Sequence, residues 1–169
     1  MEVKFEVQMT KSAMFDFLLY SSYTSLTGIL NVIVGIVTLG IGVNKIVQGD
    51  ISDSMIFFML ATVFLVGIPI NIKFRASEQV LRTPMFQKPL CYELTEEGVQ
   101  VSQDDQSASN KWEDFRKVIE TKKSVIMYIT QKRAIIFPKE CLGEQYDAAV
   151  KMISTHMPAK KVKLHGKTV

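Results

Sequence analysis

Residues 26–43 read LTGILNVIVGIVTLGIGV and residues 55–72 read MIFFMLATVFLVGIPINI. The uncharged intervals around them run from Phe17 to Asn44, 28 residues, and from Ser54 to Ile72, 19 residues. As a helix each quoted run reaches roughly 27 Å at about 1.5 Å per residue, close to the hydrocarbon thickness of a bilayer. Both are apolar on every face. A soluble fold would have to wrap them in a shell, and about 120 other residues cannot supply that shell and also fold themselves. The expectation is a transmembrane helical hairpin, since in hydrocarbon only intrahelical hydrogen bonds satisfy the backbone of such a segment.

The rest of the chain carries the charge. Mean hydropathy over all 169 residues is +0.15. Lys73, Arg75, Arg82 and Lys88 follow the second run, whereas the link Lys45–Asp53 holds one Lys against two Asp. The positive-inside rule then places both termini in the cytoplasm of a multi-pass cell-membrane protein. The alternating charge of Met1–Glu6 is unlike a secretory signal, so the first span should stay in the mature chain. Net charge is +3 and spread out, which argues against a nucleic-acid partner. Cys91 and Cys141 read as free, reduced thiols on the cytoplasmic side. Pro69 should kink the second helix, with Asn71 available to freed backbone groups.

The first span has an ordered small and polar face: Gly28, Asn31, Gly35, Thr38 and Gly42 share one stripe at 3.5-residue spacing. Two uses are open, packing against Ala61, Thr62 and Gly67 of the second span, which is favoured, or a self-association seam. A pore lining ranks third, because neither span contains an ionisable residue.

Outside the spans the period changes. Met1–Gln8 alternates as a strand, and Thr10 caps a helix with Met14, Phe15, Leu18 and Leu19 on one face. Leu90–Leu94, Val99–Ser102, Val118–Glu120, Val125–Thr130 and Ala134–Phe137 read as strands, Gln103–Ser109 as a polar loop, and Glu144–His156 as a closing helix ended by Pro158. The fold class is therefore membrane α+β: a two-helix hairpin plus a cytoplasmic antiparallel barrel or sheet capped by a C-terminal helix. The expected divisions are 1–24 (strand and helix), 25–72 (hairpin, spans 26–43 and 55–72), 73–89 (linker), 90–157 (β domain) and 158–169 (basic tail).

Tyr92-Glu-Leu-Thr-Glu-Glu-Gly98, then Trp112-Glu-Asp-Phe115 and Val118, then Ile136-Phe-Pro-Lys139 before a terminal helix resemble the YcxB-like family. Two hydrophobic helices ahead of that domain fit the same family. The resemblance implies a bacterial membrane protein whose soluble part is similar to a pleckstrin-homology-like barrel, with no established activity and no catalytic residues to carry over. It also implies that Met1–Gln8 adds to the edge of the C-terminal sheet and so covers it.

Little else carries chemistry. His156 and His165 lack neighbouring ligands for a metal. Asp104-Asp105 and Glu96-Glu97 sit in expected turns, and Gly40-Ile-Gly42 lies inside a span. No cofactor and no catalytic residue is expected. Trp112 and Phe115 read as core anchors. Lys122, Lys123, Lys132 and Arg133 fall in two expected hairpin turns. If these share one end of the domain they form a basic rim, which with Lys160, Lys161, Lys163 and Lys167 could meet anionic lipid heads; a merely solvated rim is favoured. The expected function is a non-enzymatic binding module at the inner leaflet, contacting a protein partner or lipid. The alternative is a small oligomerising subunit of a transport or envelope assembly, packed through the glycine face.

Overall fold

A computed structural model describes residues 2–130 and 133–164. The chain forms two compact units, one from the residues up to Phe17 together with those from Ser77 onward, the other from Leu18–Ala76.

The Leu18–Ala76 unit is helical. Helix α1 (Lys11–Tyr23) enters it at Leu18 and gives way to α2 (Leu26–Val47). Ser25 separates the two helices and caps α2, its hydroxyl accepting from the Gly28 N–H at 3.1 Å. The link after α2 is only Gln48–Asp50, shorter than the nine residues expected, because charged residues lie inside the helices. Lys45 in the last turn of α2 pairs with Asp50 at 3.1 Å and with Asp53, in the first turn of the next helix, at 3.7 Å. These signs suit the helix dipoles. Gly49 makes the turn at φ +87°.

Helix α3 (Ile51–Thr62) passes through a π-helical turn (Val63–Gly67) into α4 (Ile68–Arg82), one helical run of 32 residues. The π turn lies just ahead of Pro69. There the Ile68 N–H reaches back to the Val63 carbonyl, which accommodates the proline ring and its missing donor by widening the helix. Both α2 and the α3–α4 run are long and apolar enough to cross a membrane.

The other unit is built from two four-stranded sheets. Sheet A has the order β1-β2-β3-β4, all antiparallel: β1 (Val3–Val7), β2 (Leu90–Leu94), β3 (Gly98–Gln103) and β4 (Gln106–Lys111). β1 sits beside β2 with Phe5 opposite Tyr92. Sheet B has the order β7-β6-β5-β8: β5 (Lys117–Glu120), β6 (Ser124–Tyr128), β7 (Ala134–Pro138) and β8 (Val162–Lys163). The short helices α5 (Lys139–Leu142) and α6 (Tyr146–His156) follow β7.

Three expectations need correction. One antiparallel sheet or closed barrel was expected, yet the strands divide into two sheets that are not joined by strand pairing among the described residues. The loop Gln103–Ser109 is a hairpin: Asp104 takes φ +50° and Gln103 pairs with Gln106, so a sequence polar at every position but Ala108 forms edge strand β4. Residues 159–163, expected as tail, make a 3₁₀ turn and then β8, parallel to β5.

Burial follows from these layers. Val3, Phe5, Val7, Leu90, Tyr92, Leu94 and Val99 from sheet A meet Val118, Val125, Met127 and Phe137 from sheet B, and α6 closes the core with Ala149, Met152 and Ile153. All five residues of β6 are buried. Its outer face (Ser124, Ile126, Tyr128) is covered by the first turns of α1, where Phe17 packs on the Tyr128 ring with centroids 6.0 Å apart. Asp16 accepts from the Thr121 hydroxyl, and Ser12 from the Lys123 ammonium at 2.7 Å. The buried stripe of α1 is Ala13, Met14 and Phe17 rather than Met14, Phe15, Leu18 and Leu19, since a helix apolar on most sides gives its sequence no preferred face.

Candidate functional site

The polar stripe of α2 divides by position. A Cβ at Gly35 would meet Leu65 Cδ2 at 2.6 Å, and one at Gly42 would meet Phe57 Cβ at 3.3 Å. Both glycines therefore serve close approach of the second helix. The atoms nearest them are large side chains, Leu65 and Phe64 at Gly35 and Phe57 and Phe58 at Gly42, rather than the expected Ala61, Thr62 and Gly67. Gly28 plays another part: its Cβ would lie 1.8 Å from the Ser22 carbonyl oxygen, so it permits the tight α1–α2 corner. Thr38 turns its hydroxyl to its own helix, donating to Val34 at 2.9 Å.

Asn31, the remaining stripe residue, lines a cleft of about 490 Å³ inside the Leu18–Ala76 unit. One wall is α2 with Gly28, Asn31 and Val32. The other is the π turn and α4, with Phe64, Gly67, Ile68, Asn71 and Arg75. A Cβ on Gly67 would have only the Thr62 carbonyl near it, at 4.0 Å, so the missing side chain leaves real space. Among the described residues Arg75 forms no ion pair, whereas Arg82 in the same helix holds Glu78 at 2.8 Å.

The basic residues do not share one rim. The β5–β6 turn carries Lys122 and Lys123. The β6–β7 turn carries Arg133, at the opposite end of β6, because successive turns of a meander alternate ends. Lys132 and Lys167 lie outside the described residues, as does His165. A different grouping arises instead. β8 runs parallel to β5, which brings Lys160 and Lys161 to the end holding Arg116, Lys117 and Arg133. Lys161 is committed to the Phe115 carbonyl at 3.1 Å, and Lys117 lies over the Tyr128 ring at 4.6 Å. Arg116, Arg133 and Lys160 are exposed. Lys163 is exposed in β8, opposite Ile119. Sequence spacing could not show this end, since a parallel pairing from the tail creates it.

Trp112 and Phe115 lie in the core. Trp112 donates from Nε1 to the Thr95 carbonyl at 3.0 Å and stacks on His156 at 5.2 Å, tying the β2–β3 turn to the end of α6. Phe115 is fully buried. Residues 94–153, from the end of β2 into α6, match the family described as YcxB-like protein. This stretch is similar to the YcxB-like family. No curated protein and no solved structure matches the chain.

The YcxB-like stretch contains a partly buried ionic cluster. Glu120 accepts from the Lys139 ammonium at 2.5 Å and from the Tyr146 hydroxyl at 2.7 Å. Burial, then the hydrogen bond to Glu120 and the charge of that carboxylate, push the Tyr146 hydroxyl up to about 12, and burial alone does the same to Tyr92. Glu93 is raised by a hydrogen bond with Glu2, followed by burial. Cys91 and Cys141 are half-buried free thiols. Among the described residues no three His, Cys, Asp or Glu side chains converge as metal ligands would.

Proposed function

We propose that this chain is a two-span membrane protein whose YcxB-like module, completed by β1, is held at the inner leaflet as a non-enzymatic binding domain for anionic lipid head groups. The observation that carries the membrane part is the apolar surface of the two long helices. Leu26 is 75% exposed, Val47 79% and Met59 68%, with many Ile, Leu and Val residues between them also exposed. Covering one such side chain is worth about 1.5–3 kcal/mol, so a dozen left in water would cost more than the roughly 5–15 kcal/mol that holds a whole domain folded. Hydrocarbon removes that cost. Lys73, Arg75, Arg82 and Lys88 then favour a cytoplasmic position for the module and both termini.

The strand order supports a pleckstrin-homology-like reading: a four-strand meander, then a three-strand meander, then a helix on the core. The lipid reading rests on Arg116, Arg133 and Lys160 at one end of sheet B, each worth about 1 kcal/mol near an anionic surface. Full-length protein in nanodiscs of phosphatidylglycerol should show slower amide exchange at 115–118 and 133–135 than in phosphatidylcholine, and Arg116→Gln with Arg133→Gln should erase the difference. Equal exchange in both lipids would sink the lipid reading and leave a protein partner. The other reading, a subunit that assembles through the glycine face, requires Gly35 and Gly42 to leave Leu65 and Phe57, and so stands second.

A further inference from the structure

We propose that the cleft between α2 and the π turn of the second helix holds one anionic phospholipid, its phosphate on Arg75, its glycerol esters on Asn71 and Asn31, and an acyl chain along Val32, Phe64 and Ile68. The inference rests on the two-span reading and adds a specific ligand to it.

The order of groups along the walls carries the argument. Arg75, Asn71, Gly67 and Phe64 follow one another at four-, four- and three-residue steps and so form one face of the helix. Along that face the chemistry changes from a cation, to an amide, to bare backbone, to an aromatic ring. The facing wall repeats part of it, with Asn31 beside Val32. A phospholipid presents the complementary order: an anionic phosphate, ester carbonyl acceptors, then hydrocarbon. Amide N–H groups suit the ester carbonyls, and a guanidinium without an ion-pair partner suits a phosphate. The volume, about 490 Å³, lies within the range of ligand pockets that bury most of a small ligand. Gly67 keeps the cleft open, and the π turn that precedes Pro69 widens the helix beside it. A free phosphate would leave the apolar half of the cleft unfilled.

The test uses full-length protein extracted in mild detergent, with native mass spectrometry as the readout. Dioleoyl phosphatidylglycerol should bind with a saturable stoichiometry of one, and dioleoyl phosphatidylcholine, whose choline cation neutralises its phosphate and competes with Arg75 for it, about tenfold more weakly. Arg75→Gln should remove that preference. Gly67→Phe should fill the cleft and abolish the bound lipid of either kind. If Gly67→Phe does not fold, Ile68→Ala replaces it and should lower retention of both lipids while keeping the preference. Adducts that climb without saturating, or a preference that survives Arg75→Gln, overturn the proposal. So does a lipid-free dimer that Gly67→Phe dissociates, which would put a second copy in the cleft. An alkaline carbonate wash of the source membranes separates the two readings: release of the chain defeats the two-span reading, whereas retention without saturable lipid defeats the cleft alone.

Discussion

Phe5 and Phe137 meet edge to face with ring centroids 5.1 Å apart, although both long helices lie between them in the chain. Tyr92 completes the group, stacked beside Phe5 at 6.1 Å and edge-on to Phe137 at 5.0 Å. The N-terminal strand is therefore part of the core that joins sheet A to sheet B. Its alternation, buried at Val3, Phe5 and Val7 and exposed between, is what a strand covered on one face requires.

Phe5→Ala should destabilise the strand unit by about 3–5 kcal/mol, the usual cost of truncating a buried aromatic. Trp112 is the only tryptophan and lies in the same core. Urea titration of the full chain in detergent, followed by Trp112 fluorescence, measures the shift. A midpoint unchanged by the substitution would remove β1 from the core.

Ser124 is fully buried, and its hydroxyl oxygen has no hydrogen-bond partner among the described residues. Leaving a buried hydroxyl unsatisfied costs about 1–3 kcal/mol by mutational comparison. Ser124→Ala should therefore raise the urea midpoint, with a gain of about 1 kcal/mol or more. A lower midpoint would mean that the hydroxyl has a partner after all.

Stability should fall above pH 10. Tyr92 and Tyr146 keep their protons up to about 12 in the fold, against 10 when free. Between those values the unfolded chain has lost protons that the folded chain retains. Raising the pH therefore favours unfolding, and the contribution is fully present below pH 10. For the better-buried Tyr92 the loss approaches roughly 2–3 kcal/mol by pH 12. Tyr92→Phe should flatten the decline between pH 10 and 12, which paired urea titrations at the two pH values would reveal. Tyrosinate absorbance rising at pH 10 for every tyrosine would contradict it.

Gly35→Leu should separate the helices, because even a Cβ there falls 2.6 Å from Leu65. Overpacking of this kind costs about 1–3 kcal/mol. Gly40→Leu is the control, since nothing lies within 4 Å of a Cβ at that position. A disulfide between cysteines introduced at Gly42 and Phe57 reports on helix proximity: Gly35→Leu should slow its formation and Gly40→Leu should not. Equal rates in both backgrounds would mean that the stripe does not face the second helix.

The parts legible from sequence are those whose physics is local. Two uncharged runs had to become long apolar helices. Alternation at Val3, Phe5 and Val7 announced a strand, and Trp112 and Phe115 announced a core. Thr10 performs the capping role its position implied, its side chain accepting from the Ala13 N–H at 3.1 Å.

What only the tertiary structure decided are the pairings between distant segments. β4 is polar at every position but Ala108, and its neighbour β3 makes it a strand by supplying backbone partners from Gly98 to Gln103. The basic residues regroup because β8 returns beside β5, placing Lys160 near Arg116 and leaving Lys122 at the far end. The cleft exists because Gly28 and Gly67, on different helices, come to line the same space. Hydrophobic period is written residue by residue along the chain, whereas backbone hydrogen bonds and shared cavities belong to pairs of segments and arise only when the chain folds back on itself.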